Sequence, residues 1–320
     1  MKTNFFFLIL LGTAILLGCN QVKAPQNNDG LSGELTIFHA GSLSVPFKVL
    51  ADSFQKIHPE VKILTESAGS LASIRKITDL GRNCDILASA DYILIDKLMI
   101  PEFATWNLLF AGNEMSIVYT EHSKYAKEID QNNWPEILQR TDVIFGRSDP
   151  NSDPCGYRTI LTWKLLEEAA NQKGLAEKLL KKDNRYIRPK EVDLLALLES
   201  GAIDYIFLYK SVAIQHKLPY LKLPDSINLA SPFLNEFYNR VSVDVTGNKP
   251  GETISQTGEP MIYGLTIPGN SLRPDLAEEF VKFILEKGLP IIEQLGQSYV
   301  KPSYSEKSTA PEFLNPLISE

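Results

Sequence analysis

Short apolar runs alternate with amphipathic helical patterns along this chain, and no other feature restricts its fold as tightly. Residues 34–38 read as a strand and 46–57 as an amphipathic helix; 61–64 form a second strand, 71–80 a second helix and 84–88 a third strand. The third run, Cys84-Asp85-Ile86-Leu87-Ala88, is short and mostly apolar, as suits a parallel strand covered by helices on both faces. Strands that follow one another through helices need crossover connections, so the expected class is α/β, a twisted sheet layered between helices.

The pattern restarts beyond residue 113. Residues 115–119 and 143–145 read as strands, 134–139, 155–170 and 175–181 as helices, and 191–200 as a further helix closed by Gly201 at its C-terminal cap. An apolar strand follows at 204–209, an edge strand at 241–245 and another strand at 261–267. Helices at 274–287 and 289–295 then lead into a Pro- and Ser-rich tail. Two α/β units connected by long crossing segments, 108–119 and 261–267, predict two lobes on a hinge of two strands. The first lobe would take 33–112 plus 265–320 and the second 113–264, and 320 residues are enough for two separate cores. A ligand would lie in the crevice at the carboxyl ends of the strands. Periodicity alone leaves open one continuous doubly wound domain.

The N-terminus reads as a targeting segment. Lys2 supplies a positive start, residues 5–17 are almost wholly apolar, and the run is short for a permanent membrane span. It ends Leu16-Leu17-Gly18-Cys19, which resembles the bacterial lipobox, so 1–19 is expected to be a lipoprotein signal with Cys19 lipidated as the new N-terminus. A plain membrane anchor or a signal cleaved elsewhere is the alternative. Residues 20–32, rich in Asn, Gln, Asp and Gly, read as a flexible tether that would hold an exported protein to a membrane surface. Cys84 and Cys155 remain after processing; in an oxidising compartment they could pair or stay buried and free, a question of geometry. His39, His58, His122 and His216 show no metal-ligand spacing with them. A net charge of −7 argues against a general attraction to nucleic acid, and any anion site must rest on local donors.

Three loops carry such donors. His39-Ala40-Gly41-Ser42-Leu43 follows the first strand and opens the first helix, and Ser67-Ala68-Gly69-Ser70 occupies the same position after the second. Glycine allows close backbone approach, and free N–H groups at a helix start favour an anion. Each serine could equally be a plain helix cap, but neighbouring parallel strands would bring the two turns together. The third loop, Ser148-Asp149-Pro150-Asn151-Ser152-Asp153-Pro154, fits a turn with an Asp cap and proline at the first helical position. Arg158 beyond it could balance buried charge or face solvent.

Ala40-Gly41-Ser42-Leu43, Ala68-Gly69-Ser70, the run from Cys84 to Asp91, the block from Asp149 to Arg158 and Tyr205-Ile206-Phe207-Leu208-Tyr209-Lys210-Ser211-Val212-Ala213 together resemble the tungstate/molybdate-binding proteins of ABC transporters, over most of the chain beyond Gly33. The resemblance implies an α/β, two-lobed fold of the type II periplasmic binding proteins. It also implies a ligand set of Gly41, Ser42, Ser70, Asn151, Ser152 and Asp153, completed by Glu191 and Tyr209. The match at Glu191 competes with a helix-start carboxylate that merely faces the helix dipole. Two carboxylates ~4 Å from a dianion would repel it by several kcal/mol at intermediate dielectric. They must therefore be protonated or bind the metal centre, and the resemblance implies the latter: Asp153 and Glu191 add to the four oxo groups of Mo(VI) or W(VI). Sulfate and phosphate cannot expand their coordination, so the same carboxylates select against them.

The implied function is capture of tungstate or molybdate for delivery to an ABC permease, with no cofactor and a monomer as the default. A binder of sulfate or phosphate is the nearest alternative. A hydrolase using Asp153 and Glu191 as acid and base is the competing class, but the sequence shows no nucleophile elbow and no catalytic triad by spacing.

Overall fold

β1 (Gly33–Ala40) pairs in parallel with β2 (Val61–Ala68) over its whole length, from Gly33 opposite Val61 to Ala40 opposite Ala68. That register follows from the helix between them: α1 (Ser44–Ile57) buries Pro46, Phe47, Leu50, Ala51 and Phe54, a stripe at three- and four-residue spacing. Burying side chains of this size contributes about 1.5–3 kcal/mol each, enough to fix which face lies on the sheet. The computed structural model describes residues 30–318 except 172, 183 and 248–250. The expected signal 1–19 with Cys19, and the tether as far as residue 29, lie outside the described residues.

Leu31–Glu320 forms one compact unit. Its first sheet adds β3 (Ile86–Ser89), β4 (Leu108–Gly112), β12 (Ile262–Thr266) and β13 (Ser298–Tyr304), in the order β13-β4-β12-β3-β1-β2. A second sheet holds β5 (Met115–Tyr119), β6 (Phe145–Ser148), β7 (Ile187–Arg188), β8 (Tyr205–Tyr209) and β9 (Tyr220–Lys222), ordered β7-β6-β8-β5-β9. A separate antiparallel ribbon pairs β10 (Ser242–Thr246) with β11 (Thr253–Thr257). The architecture is α/β with two lobes, one on each large sheet. Only Asn113 and Glu114 separate β4 in the first sheet from β5 in the second, and the chain comes back to the first sheet at β12.

Three helices begin where strands end at the junction of the lobes: α2 (Ser70–Thr78) after β2, α3 (Tyr92–Leu98) after β3, and the long helix Pro154–Ala170 after β6. The last buries residues almost all round, including Cys155, Tyr157, Arg158, Thr159 and Trp163, because it runs through the middle of the second lobe rather than along its surface. Trp163 packs edge-on to Phe207 with ring centroids 5.3 Å apart.

Several elements differ from the sequence expectation. The tail is not without structure: β13 forms the edge of the first sheet beside β4, and its Pro302 sits where the register shifts between Tyr299 and Ser303. Proline is tolerated at an edge irregularity because no ladder hydrogen bond is asked of its nitrogen. The expected edge strand 241–245 belongs instead to the β10–β11 ribbon, off both large sheets. The single helix expected at 191–200 is a tight 3-10 turn, Glu191–Leu194, followed by the short helix Leu195–Glu199. Gly201 does terminate it in the left-handed region, with φ +73°. Cys84 and Cys155 are both free and buried, one in each lobe. Burial pushes the Cys84 thiol up to about 12 and raises that of Cys155 as well, so both stay protonated.

Candidate functional site

The parallel register that sets Ala40 opposite Ala68 places the two Gly-Ser turns side by side at one edge of the first sheet. Gly41–Leu43 winds a 3-10 turn into α1. The Ser44 hydroxyl ties it to its neighbour, donating to the Gly41 carbonyl at 2.7 Å and lying 3.0 Å from the Ser67 hydroxyl. Gly69 stands at the N-cap of α2 without a side chain to cap it. The N–H of Ala72 in that first turn donates instead to the Ser152 carbonyl of the second lobe, at 3.3 Å.

The second lobe presents two carboxyls. Asp153 caps the helix Pro154–Ala170, one oxygen accepting from the Cys155 N–H at 3.3 Å, the other from the Glu191 N–H at 3.0 Å. Glu191 is fully buried; its carboxyl oxygens make no hydrogen bond of good geometry, although the Asp153 carboxyl and the Ser42 N–H lie within reach. Burial drives its pKa well above the ordinary range, and Asp153 beside it adds to the effect; burial raises Asp153 too. Glu191 does open a tight helical turn, but as a buried group rather than a surface carboxylate.

Glycine is required where the walls meet. A methyl group added at Gly41 would lie 2.6 Å from Glu191 Oε2, and one added at Gly69 would lie 2.2 Å from the Ser152 carbonyl oxygen. The lobes are thus closed on each other, with the Glu191 carboxyl against the first turn.

Three hydroxyls share one property. Ser70 Oγ accepts from the Ala90 N–H at 2.9 Å, Ser42 Oγ from the Tyr263 hydroxyl at 2.9 Å, and the Tyr209 hydroxyl from Arg158 Nη1 at 3.1 Å. Each oxygen already accepts one bond, which leaves its own proton free to donate elsewhere. All three side chains are essentially inaccessible. Burial raises the Tyr209 pKa well above its ordinary value, which keeps that proton in place.

Arg158 does not face solvent. Its Nη1 donates to the Ala90 carbonyl at 2.7 Å, and Nη2 lies 3.5 Å from Asp91 Oδ2. Burial opposes its charge, but Tyr209 and Asp91 hold its pKa above the ordinary value. Tyr157 also donates to Asp91, which caps α3 through the Ile93 N–H at 3.0 Å. The Arg158 charge is therefore already balanced by Asp91.

Of the eight expected ligand residues, Gly41, Ser42, Ser70, Asp153, Glu191 and Tyr209 gather at this junction in buried positions. Asn151 and Ser152 serve the rim. Asn151 Oδ1 accepts from the Thr246 N–H at 2.9 Å, its carbonyl accepts from Arg75 at 2.9 Å, and the Ser152 carbonyl faces Gly69 and Ala72. Sequence reasoning gave no role to Asp91, Tyr157, Tyr263 or Asn113. The first two lie within the recognisable blocks; the other two sit at the lobe crossings, where no local pattern marks them. His39, beside the first turn, donates no charge: burial lowers its pKa to about 4.

Residues 35–296 match the family model described as bacterial extracellular solute-binding protein. The chain belongs to that family. This solute-binding protein is 47% identical over 304 residues to an uncharacterized solute-binding protein of Petrotoga mobilis, covering 94% of this chain and 91% of that one. It is 44% identical over 335 residues to the molybdate/tungstate-binding protein WtpA of Pyrococcus abyssi, with 95% of each chain covered. In fold it is similar to the periplasmic molybdate-binding protein of Azotobacter vinelandii, with a TM-score of 0.63 and 18% identity over 83% of this chain and 99% of that one. The sulfate-binding protein SubI of Mycobacterium tuberculosis gives 0.60 at 12% identity, over 83% and 87% of the two chains. Among the described residues no helix is long and apolar enough to cross a membrane.

Proposed function

We propose that this protein captures molybdate or tungstate between its lobes and delivers it to an ABC permease. One observation carries the reading: a fully buried Glu191 whose carboxyl makes no hydrogen bond of good geometry, beside Asp153 and at a junction where the hydroxyls of Ser42, Ser70 and Tyr209 each keep a proton free to donate. An unpartnered buried carboxylate is costly by several kcal/mol, so the site calls either for a proton or for an electron-poor centre. A tetrahedral metal oxyanion supplies that centre and also oxygens for the donors. Ser42, Ser70, Tyr209 and the N–H groups near Gly41 would bind the oxo groups, while Asp153 and Glu191 ligate the metal. Asn151 and Ser152 would hold the third loop on the first lobe. The 44% identity to a molybdate/tungstate-binding protein supports the choice of ligand.

In this reading the protein performs no reaction. The lobes are 33–112 plus 265–320 and 113–264, the expected hinge lies at their two crossings, and lipidated Cys19 anchors the exported chain to a membrane. Calorimetry on anion-stripped protein, titrated separately with tungstate, molybdate, sulfate and phosphate, tests it. Tight one-to-one binding of the first two alone is expected. Equal or tighter binding of sulfate or phosphate would remove metal ligation by the carboxyls, and silence with all four would remove the oxyanion reading.

A further inference from the structure

Asn113 lies at the first crossing, between β4 and β5, and its side-chain amide is held in one orientation. Oδ1 accepts from the backbone N–H groups of Glu114 at 3.0 Å and Ser211 at 3.3 Å. Backbone N–H groups only donate, so Nδ2 must point the other way, where it donates to Ser211 Oγ at 2.7 Å and to the Tyr263 hydroxyl at 2.8 Å. Tyr263, on β12 at the second crossing, accepts there and donates onward to Ser42 Oγ at 2.9 Å. Asn113, Ser42 and Tyr263 are all buried, so water does not scramble the directions.

We propose that Asn113 and Tyr263 are positioning residues that fix the polarity of the Ser42 hydroxyl, so that its proton points into the ligand site. Two backbone N–H groups orient the amide, the amide orients the tyrosine and the tyrosine orients the serine. Every bond in the chain runs in one direction, which leaves the Ser42 proton free to enter the site. The same chain joins both crossings to a ligand group: Asn113 and Ser211 flank the path into the second lobe, and Tyr263 lies on the strand that returns. An anion whose oxygens accept therefore meets a serine already turned to donate, with no reorientation on binding. The proposal rests on the oxyanion reading for its ligand, but the relay itself belongs to the protein alone.

The polarity can be reversed. N113D keeps an oxygen facing the Glu114 and Ser211 N–H groups and replaces the donating nitrogen with an acceptor. Tyr263 would then donate to the new carboxyl, Ser42 would donate to Tyr263, and a serine lone pair would face the anion. Tungstate affinity measured by calorimetry is expected to fall about 100-fold in N113D and about 10-fold in Y263F, which only cuts the chain. Asn113 and Ser42 share no hydrogen bond, so an effect carried by the relay must pass through position 42. In an S42A background N113D should therefore cost less than about threefold. An undiminished 100-fold loss in S42A would mean that the new charge acts directly, and the relay would be overturned.

A second readout needs no anion. Urea unfolding of the unliganded S42A, N113D and double variants should show non-additive changes, because distant uncoupled sites add. Additivity there overturns the relay whatever the protein binds. Coupling there, with no oxyanion bound by the natural protein, would instead remove the proposed function and leave the relay standing.

Discussion

The two walls of the cleft use opposite chemistry. The first lobe offers neutral donors: N–H groups at Gly-Ser turns and the hydroxyls of Ser42 and Ser70. The second offers the Asp153–Glu191 carboxyl pair, with Tyr209 beside it. A wall of donors binds any anion whose oxygens fit; a wall of buried carboxyls rejects most of them. Affinity on this view is built mainly by one lobe and selectivity by the other, and substitutions on either wall can break that division.

The largest effect is expected from the acidic wall. D153A and E191Q should each lower tungstate affinity by at least about 1,000-fold, some 4 kcal/mol, in calorimetry. E191Q should at the same time raise the midpoint of urea unfolding of the unliganded protein, because it removes a buried carboxyl that lacks well-formed hydrogen bonds and lies beside a second one. A loss of both affinity and stability would assign Glu191 to structure rather than to ligand.

Closure comes next. In G69A the added methyl meets a backbone carbonyl at 2.2 Å, which cannot swing aside, whereas in G41A it meets the end of the Glu191 side chain at 2.6 Å. Affinity should fall about 100-fold in G69A and less in G41A, and X-ray scattering with tungstate should show G69A retaining the larger radius of gyration. Equal compaction of G69A and the natural protein would mean that the walls need not touch to bind.

The pH response separates the walls by sign. The folded, unliganded protein holds Asp153 and Glu191 protonated above their ordinary values of 3.8 and 4.5, where the unfolded chain has released those protons. Stability is therefore fully present below about 4 and declines as pH rises towards the raised values, by at most about 1.4 kcal/mol per pH unit for each group. E191Q should flatten that slope in urea midpoints followed from pH 4 to 8. Tungstate ligated by carboxylates must displace the same protons, so calorimetric enthalpies in buffers of different ionisation heat should reveal proton release. Proton uptake would make the carboxyls hydrogen-bond donors and the two walls alike.

The smallest effect tests the rim. Asn151 Oδ1 accepts from the Thr246 N–H and hydroxyl, whereas the Arg75 bond goes to its backbone carbonyl and survives substitution, so N151A should lower affinity only about fivefold. A loss approaching that of D153A would place its side chain on the ligand.

The unequal legibility of the walls has a physical origin. Gly41, Ser42 and Ser70 belong to strand–turn–helix units, in which glycine, serine and the apolar spacing of one short segment state the geometry together. The acidic wall depends on Asp153 and Glu191, 38 residues apart in the chain and joined through one N–H to carboxyl bond. Resemblance could match Glu191, but the expected helix at 191–200 concealed the tight turn that begins there. Asp91 and Tyr157 were present in recognisable blocks without a role, since their bond crosses 66 residues. The strand within the tail was hidden by Pro302, which reads against a strand unless the edge position is known.

What the sequence determined by itself was local: the α/β class, the parallel β1–β2 pairing, the two Gly-Ser turns and the helix start at Asp153. These follow from periodicity, caps and glycine, which act over a few residues. Tertiary structure alone decided that Cys84 and Cys155 stay apart, that Arg158 is balanced by Asp91, and that Glu191 is buried beside Asp153. It also decided which way each hydroxyl donates. A hydrogen bond has a direction only when both of its ends are in place, and here the ends lie 20, 51 and 221 residues apart in the chain.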